Sequence, residues 1–169
     1  MPQVSTNDFI SWRERQILKG GDFQSLDLLI NSVGDFSKEN YSFIKLSLKK
    51  YFELEVTLET LEVLWDKHLN TNMPIQYLSG ISFWRDLKLE VSDKVLIPRS
   101  ETELIIDIIQ ANFIPKCNEV NFADLGTGSG AIGIALALAK PCWNGIATDI
   151  DKKAIEIASR NFDKFSNKS

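Results

Sequence analysis

Cysteine is nearly absent from this 169-residue chain: only Cys117 and Cys142 occur, far apart and with no C-x-x-C pair. That excludes a disulfide framework and a zinc site built on paired thiolates, and both thiols are expected to be reduced and partly buried. Long apolar runs are missing too. No segment approaches the roughly 20 residues that cross a bilayer, and no N-terminal stretch joins positive charge to an apolar run; the expectation is a cytoplasmic protein without membrane contact. Excess positive charge is also lacking. The balance of 19 basic against 23 acidic residues gives a net charge of −4, which argues against direct nucleic-acid binding as the main task. The one histidine, His68, stands alone on a helical pattern and reads as a surface residue with no catalytic task; no metal site is expected. What is present is 44% hydrophobic content, enough to bury a core in one ordinary domain or two small ones.

The pattern changes near Pro74. Before it, apolar residues recur at helical spacing in four segments: Phe9, Trp12 and Ile17; Phe23, Leu26, Ile30 and Val33; Phe43, Leu46, Leu48 and Phe52; Leu58, Leu61, Trp65 and Leu69. Gly20-Gly21 and Gly34 fall where helices end, and Ser5 or Thr6 and Thr57 where they begin. Residues 1–73 therefore read as a small helical bundle. Within 74–99 the rhythm becomes strand-like from Tyr77 to Ile97, with Arg85-Asp86 as the turn of a hairpin that links two domains. Ser100 and Glu103 then match a capping box for a helix running from Ser100 to about Asn112. Trp12, Trp65, Trp84 and Trp143 have no basic groove beside them and read as core or interface residues.

Residues 120–125 form a short run with a sharp glycine ending, which suits a buried strand. Ala131 to Ala139 follow as a helix that Pro141 stops, and Gly145 to Thr148 read as a second strand delivering Asp149 at its carboxyl end. Asp151 can cap a further helix through Ile155, Ala158 and Phe162. This is a βαβ unit, so the two strands should be parallel and the fold class α/β.

Four of the nine glycines, Gly126, Gly128, Gly130 and Gly133, lie within eight residues. At the carboxyl end of a parallel strand, such a turn lets a ligand touch main-chain N–H groups beside a helix N-terminus. Asp149, 23 positions after Gly126, would then meet the vicinal hydroxyls of a ribose. Two registers compete. Gly128, Gly130 and Gly133 satisfy the dinucleotide fingerprint G-x-G-x-x-G, while Gly126, Gly128 and Gly130 alternate, which suits an amino-acid moiety better than a pyrophosphate.

Asp124 through Ile132, DLGTGSGAI, resembles the first motif of the class I methyltransferases that use S-adenosylmethionine. Pro74 through Gly80, PIQYLSG, then Phe83, then Leu96 through Glu103, LIPRSETE, is similar to the signature of the protein glutamine N5-methyltransferases that modify peptide chain release factors. The resemblance spans essentially the whole chain. It implies a helical substrate-recognition domain over 1–73, a hairpin linker over 74–99 and a Rossmann-like S-adenosylmethionine-binding domain from 100. It also implies that Gly126, Thr127, Gly128, Ser129 and Gly130 lie against the methionine part of the cofactor. Asp149 would hold the ribose, Asp124 would support the ammonium, and Thr102, with Leu96 and Arg99, would line the cofactor side. Ser100 replaces the proline usual in that family.

The resemblance further implies an Asn-Pro-Pro-Tyr segment that holds the substrate glutamine, and no such segment occurs in these 169 residues. The expectation is a truncated or split methyltransferase carrying the cofactor half, with no catalytic residue of its own; either a complementary chain covers its incomplete sheet, or the chain is an incomplete product. A dinucleotide-dependent oxidoreductase fragment and a non-catalytic protein-binding module are the competing readings.

Overall fold

The computed structural model describes residues 2–34, 50–112 and 120–166, and the chain divides into two compact units, Met1–Ser79 and Gly80–Ser169. In the first unit β1 (Gln3–Ser5) leads into α1 (Thr6–Lys19), α2 (Phe23–Gly34), β2 (Tyr51–Glu53), α3 (Leu58–Thr71) and α4 (Ile75–Ser79). α1 starts where the Ser5 hydroxyl accepts the Asp8 N–H, and it ends where the Gly20 N–H donates to the Ile17 carbonyl. Thr57 caps α3 in the same way, and Asn72, in the left-handed region, closes it. The apolar faces meet as their spacing requires: Phe9, Trp12, Leu26, Ile30, Leu61 and Trp65 are all buried in one core.

Two features depart from the helical reading. Val4 pairs with Phe52 in an antiparallel ladder of β1 and β2, so the unit contains a two-stranded sheet as well as helices. Adjacent aromatics favour a strand at 51–52, and the Phe52 ring then meets Phe9 edge-on at 5.1 Å. The rest of the expected third helix, Phe43 to Leu48, lies outside the described residues. His68 is half-buried rather than a surface residue: its ring lies 5.1 Å from that of Trp65, and Nδ1 is 2.8 Å from the Met73 carbonyl.

The second unit contains β3 (Ile81–Trp84), β4 (Leu87–Glu90), a single 3-10 turn (Ser100–Thr102), α5 (Glu103–Asn112), β5 (Asn121–Leu125), α6 (Ala131–Ala139), β6 (Asn144–Thr148) and α7 (Lys152–Ser166). Tyr77 and Leu78 belong to α4, so the strand rhythm begins only at Ile81. The β3–β4 hairpin is in register from Ile81 opposite Glu90 to Trp84 opposite Leu87. Its Trp84, Leu87 and Leu89 are buried with Ile106 of α5 and Ala131, Ile134, Ala135 and Leu136 of α6.

The expected capping box does not form. The Glu103 carboxylate instead accepts the N–H of Arg85 at 3.2 Å. Arg85, held at φ +50 in the hairpin turn, also donates to the Glu103 carbonyl and to Asp107. Cys142 is exposed rather than partly buried, and Cys117 lies outside the described residues.

β5 and β6 pair in parallel, Phe122 opposite Gly145 and Leu125 opposite Thr148. The Phe122 ring lies over Gly145, where a Cβ would meet it. On the face carrying Phe122 and Asp124 the sheet is partly covered; on the other, Ala123, Leu125, Ile146 and Thr148 are exposed. Leu125 is 78% and Ile146 68% accessible, so this apolar face has no cover among the described residues. No helix of the described residues is long and apolar enough to cross a membrane.

The two glycines after α1 differ in what surrounds them. A Cβ on Gly21 would come within 2.7 Å of the Trp65 ring, whereas one on Gly20 would meet open space, and both have positive φ. Each alanine substitution therefore carries a strain cost of about 1–3 kcal/mol, and Gly21→Ala adds about 1–3 kcal/mol of overpacking. Urea unfolding followed by tryptophan fluorescence is expected to rank Gly21→Ala well below Gly20→Ala; equal losses would contradict the packing assigned to Gly21.

Candidate functional site

The glycine turn that leaves β5 is left-handed at three places, with φ +77 at Gly126, +54 at Gly128 and +84 at Gly130. Such values disfavour any residue with a Cβ. The glycines otherwise serve different ends. A Cβ on Gly126 or Gly128 would point into open space, so nothing in the fold fills the place beside them. At Gly130 a Cβ would press on Ile134, Ala158 and Phe162, and at Gly133 on Phe162 and the Asp124 carboxylate. The third glycine of the fingerprint register thus has a packing explanation within the protein.

The turn was expected to offer its main-chain N–H groups to a ligand, and most are already engaged. Those of Gly126 and Thr127 both donate to the Thr148 carbonyl at 2.8 and 2.9 Å, and that of Gly130 to the Thr127 carbonyl at 2.8 Å. The N–H of Gly128 donates to Asp149 Oδ2 at 2.9 Å. Among the described residues only the Ser129 N–H of this turn has no hydrogen-bond partner. The opening therefore lies in the missing side chains at 126 and 128 rather than in a row of unpaired donors.

Two carboxylates hold the turn. Asp124 Oδ2 accepts the Thr127 hydroxyl at 2.7 Å and the Gly133 N–H at 3.1 Å, which ties the strand end to the first turn of α6. Asp149, at the end of β6, lies on the side of the glycine turn, as the ribose expectation requires. Its Oδ2 takes Gly128 and its Oδ1 takes the Asp151 N–H at 3.0 Å. These donors, Asp151 first and then Gly128, hold the Asp149 carboxyl below its ordinary value of 3.8, against a smaller opposing effect of burial. Asp151 caps α7 by accepting the Lys153 N–H at 2.8 Å.

Thr102 is half-buried in the 3-10 turn, its N–H donating to the Arg99 carbonyl at 3.1 Å. No hydrogen bond among the described residues joins it to the glycine turn, so the structure unites Asp124, residues 126–130 and Asp149 and leaves Thr102 in a separate segment. Among the described residues no group of three or more His, Cys, Asp or Glu is placed to hold a metal.

One polar residue escaped the sequence reading. Asn161 of α7 is fully buried and bonds Glu90 and Ser129. Its signal is that it continues the apolar stripe of Ala154, Ile157 and Ala158 at helical spacing, where an amide must find partners.

Residues 100–168, which include the site at the end of β5, match the family model described as "Methyltransferase small domain". Among the chain's curated relatives are proteins named release factor glutamine methyltransferase. The chain is 37% identical to the one from Prochlorococcus marinus over 158 residues, 93% of this chain and 54% of the relative. It is 41% identical to that of Lactococcus lactis over 119 residues, 69% of this chain and 43% of the relative. It is 35% identical to that of Synechocystis over 169 residues, 94% of this chain and 55% of the relative. The chain spans about half the length of these curated relatives.

Because the folded-state value of Asp149 is lowered, its contribution to stability is complete above its ordinary value and is lost as the pH falls through the lower native one. Asp149→Asn is expected to unfold at lower urea than the parent chain at pH 7, and the gap should close as the pH falls below 3.8. A gap that does not change with pH would contradict the hydrogen bonds assigned to this carboxylate.

Proposed function

We propose that this chain carries the S-adenosylmethionine-binding half of a methyltransferase that modifies the side-chain amide nitrogen of a glutamine in a peptide chain release factor. The observation that carries the reading is the pair of open positions at Gly126 and Gly128 beside the Asp149 carboxylate. The match to a methyltransferase domain model and relatives named release factor glutamine methyltransferase support it.

The residues fit the cofactor chemically. Gly126 through Gly130 would lie against its methionine portion. Asp149 Oδ2 accepts the Gly128 N–H and Oδ1 the Asp151 N–H, and the remaining acceptor capacity of the carboxylate would serve a ribose hydroxyl. Asp124 has spent Oδ2 on Thr127 and Gly133, which leaves Oδ1 to support the ammonium. Thr102 would approach from the segment before α5. When bound, S-adenosylmethionine supplies a methyl group activated by the sulfonium centre. This chain's residues bind and orient it; none of them is assigned a catalytic role.

In the same reading, residues 1–73 recognise the release factor, 74–99 link, and 100–169 hold the cofactor, in the cytoplasm. The exposed face at Ala123, Leu125 and Ile146 is assigned to a complementary polypeptide that packs over the sheet. That polypeptide brings the Asn-Pro-Pro-Tyr segment for the glutamine. An amide nitrogen is a poor nucleophile, so transfer depends on this alignment.

Calorimetry with S-adenosylhomocysteine is expected to give one-to-one binding, weakened at least tenfold in Gly128→Val, with no response to NAD. A folded chain that binds NAD and not S-adenosylhomocysteine would overturn the reading in favour of an oxidoreductase. With methyl-labelled S-adenosylmethionine and a release factor, the chain alone is expected to transfer no label. Transfer is expected when the C-terminal remainder of the Prochlorococcus marinus relative is added; transfer by the chain alone would overturn the assignment of the glutamine site to a second polypeptide.

A further inference from the structure

The buried amide of Asn161 joins three parts of the second unit. Its Oδ1 accepts the Glu90 N–H at 2.7 Å and its Nδ2 donates back to the Glu90 carbonyl at 2.9 Å, so the side chain closes a ring with the end of β4 as a neighbouring strand would. The same Nδ2 donates its other hydrogen to the Ser129 carbonyl at 2.8 Å. Only this orientation of the amide gives the Glu90 N–H an acceptor and both carbonyls a donor.

The consequence falls on the peptide between Ser129 and Gly130. Its carbonyl is held by Asn161, and its N–H is held by the Thr127 carbonyl. With both ends engaged, the plane cannot turn, and the path through Gly128 to Gly130 is set. Glu90 is itself anchored through its side chain, which bonds Arg160 Nε at 2.9 Å and lies 3.6 Å from Lys164. At the far end of the hairpin the Trp84 indole donates to the Arg99 carbonyl at 2.8 Å, and Arg85 grips Glu103. The hairpin therefore touches both segments assigned to the cofactor: residues 99–103 at its tip, and the glycine turn, through Asn161, at its base.

We infer that Asn161 is a positioning residue for the glycine turn, orienting the Ser129–Gly130 peptide so that the open side of Gly126 and Gly128 is presented to the ligand. Ligand identity here rests on the S-adenosylmethionine reading; the effect on the turn does not. Removing the amide leaves the Ser129 carbonyl and both main-chain groups of Glu90 without their buried partners.

The test compares the full chain with Asn161→Ala, with the isosteric Asn161→Asp, and with Glu90→Ala, which removes the Arg160 and Lys164 contacts but keeps the main-chain bonds to Asn161. Two quantities are read for each folded variant: S-adenosylhomocysteine affinity by calorimetry, and exchange of the Gly130 amide by NMR without ligand. Asn161→Ala and Asn161→Asp are expected to bind at least tenfold more weakly and to exchange the Gly130 amide at least tenfold faster. Glu90→Ala, destabilised through its lost ion pairs, is expected to stay within twofold of the parent in both.

Affinity and exchange within twofold of the parent in either Asn161 variant would overturn the inference while leaving the cofactor reading intact. If the parent itself does not bind S-adenosylhomocysteine, the cofactor reading fails and the Gly130 exchange alone decides this inference. If neither Asn161 variant folds, the parent decides it: the Asn161 side-chain amide protons are expected to be slowly exchanging, and rapid exchange of both would overturn the bond to Ser129.

Discussion

The hydrogen bond from the Gly128 N–H to the Asp149 carboxylate joins the ends of two parallel strands at the one place where the backbone is bare. Glycine suits position 128 because φ there is +54 and the missing Cβ leaves the recess open, and the bond needs a parallel pair because only then do both strands finish on the same side. The Thr148 carbonyl reinforces it by accepting from both Gly126 and Thr127. Together these bonds turn a flexible sequence into a shaped recess, and they also explain why so few of its donors remain for a ligand.

Much of the second unit was legible because its boundaries are set by local chemistry. α6 occupies Ala131 to Ala139 as expected, since Gly130 opens it and Pro141 prevents its continuation. Asp151 caps α7 through its own side chain, and the apolar run at 121–125 ends at a glycine. The carboxylates at 124 and 149 were placed by their positions at strand ends, a feature that a βαβ pattern specifies without knowledge of packing.

What was not legible came from partners distant in sequence. The pairing of Val4 with Phe52 leaves no periodic trace in strands three residues long. Glu103 has the right spacing for a capping box, but an arginine 18 residues upstream takes its carboxylate. The five residues of α4 are too few to display a helical period. Asn161 looks like any polar residue on an amphipathic helix until one asks which face it occupies.

The contact between Glu90 and Asn161 spans 71 residues of chain, and loop closure over that distance costs roughly 4 kcal/mol of chain entropy against about 1 kcal/mol for a hairpin turn. The hairpin can therefore zip up from its own neighbours, whereas the bend at 126–130 receives its final constraint only after β5, α6, β6 and α7 have been gathered in. Maturation of the recess is consequently tied to the last and most cooperative stage of folding, and a chain arrested before α7 docks would keep its secondary structure while lacking a finished place for a ligand.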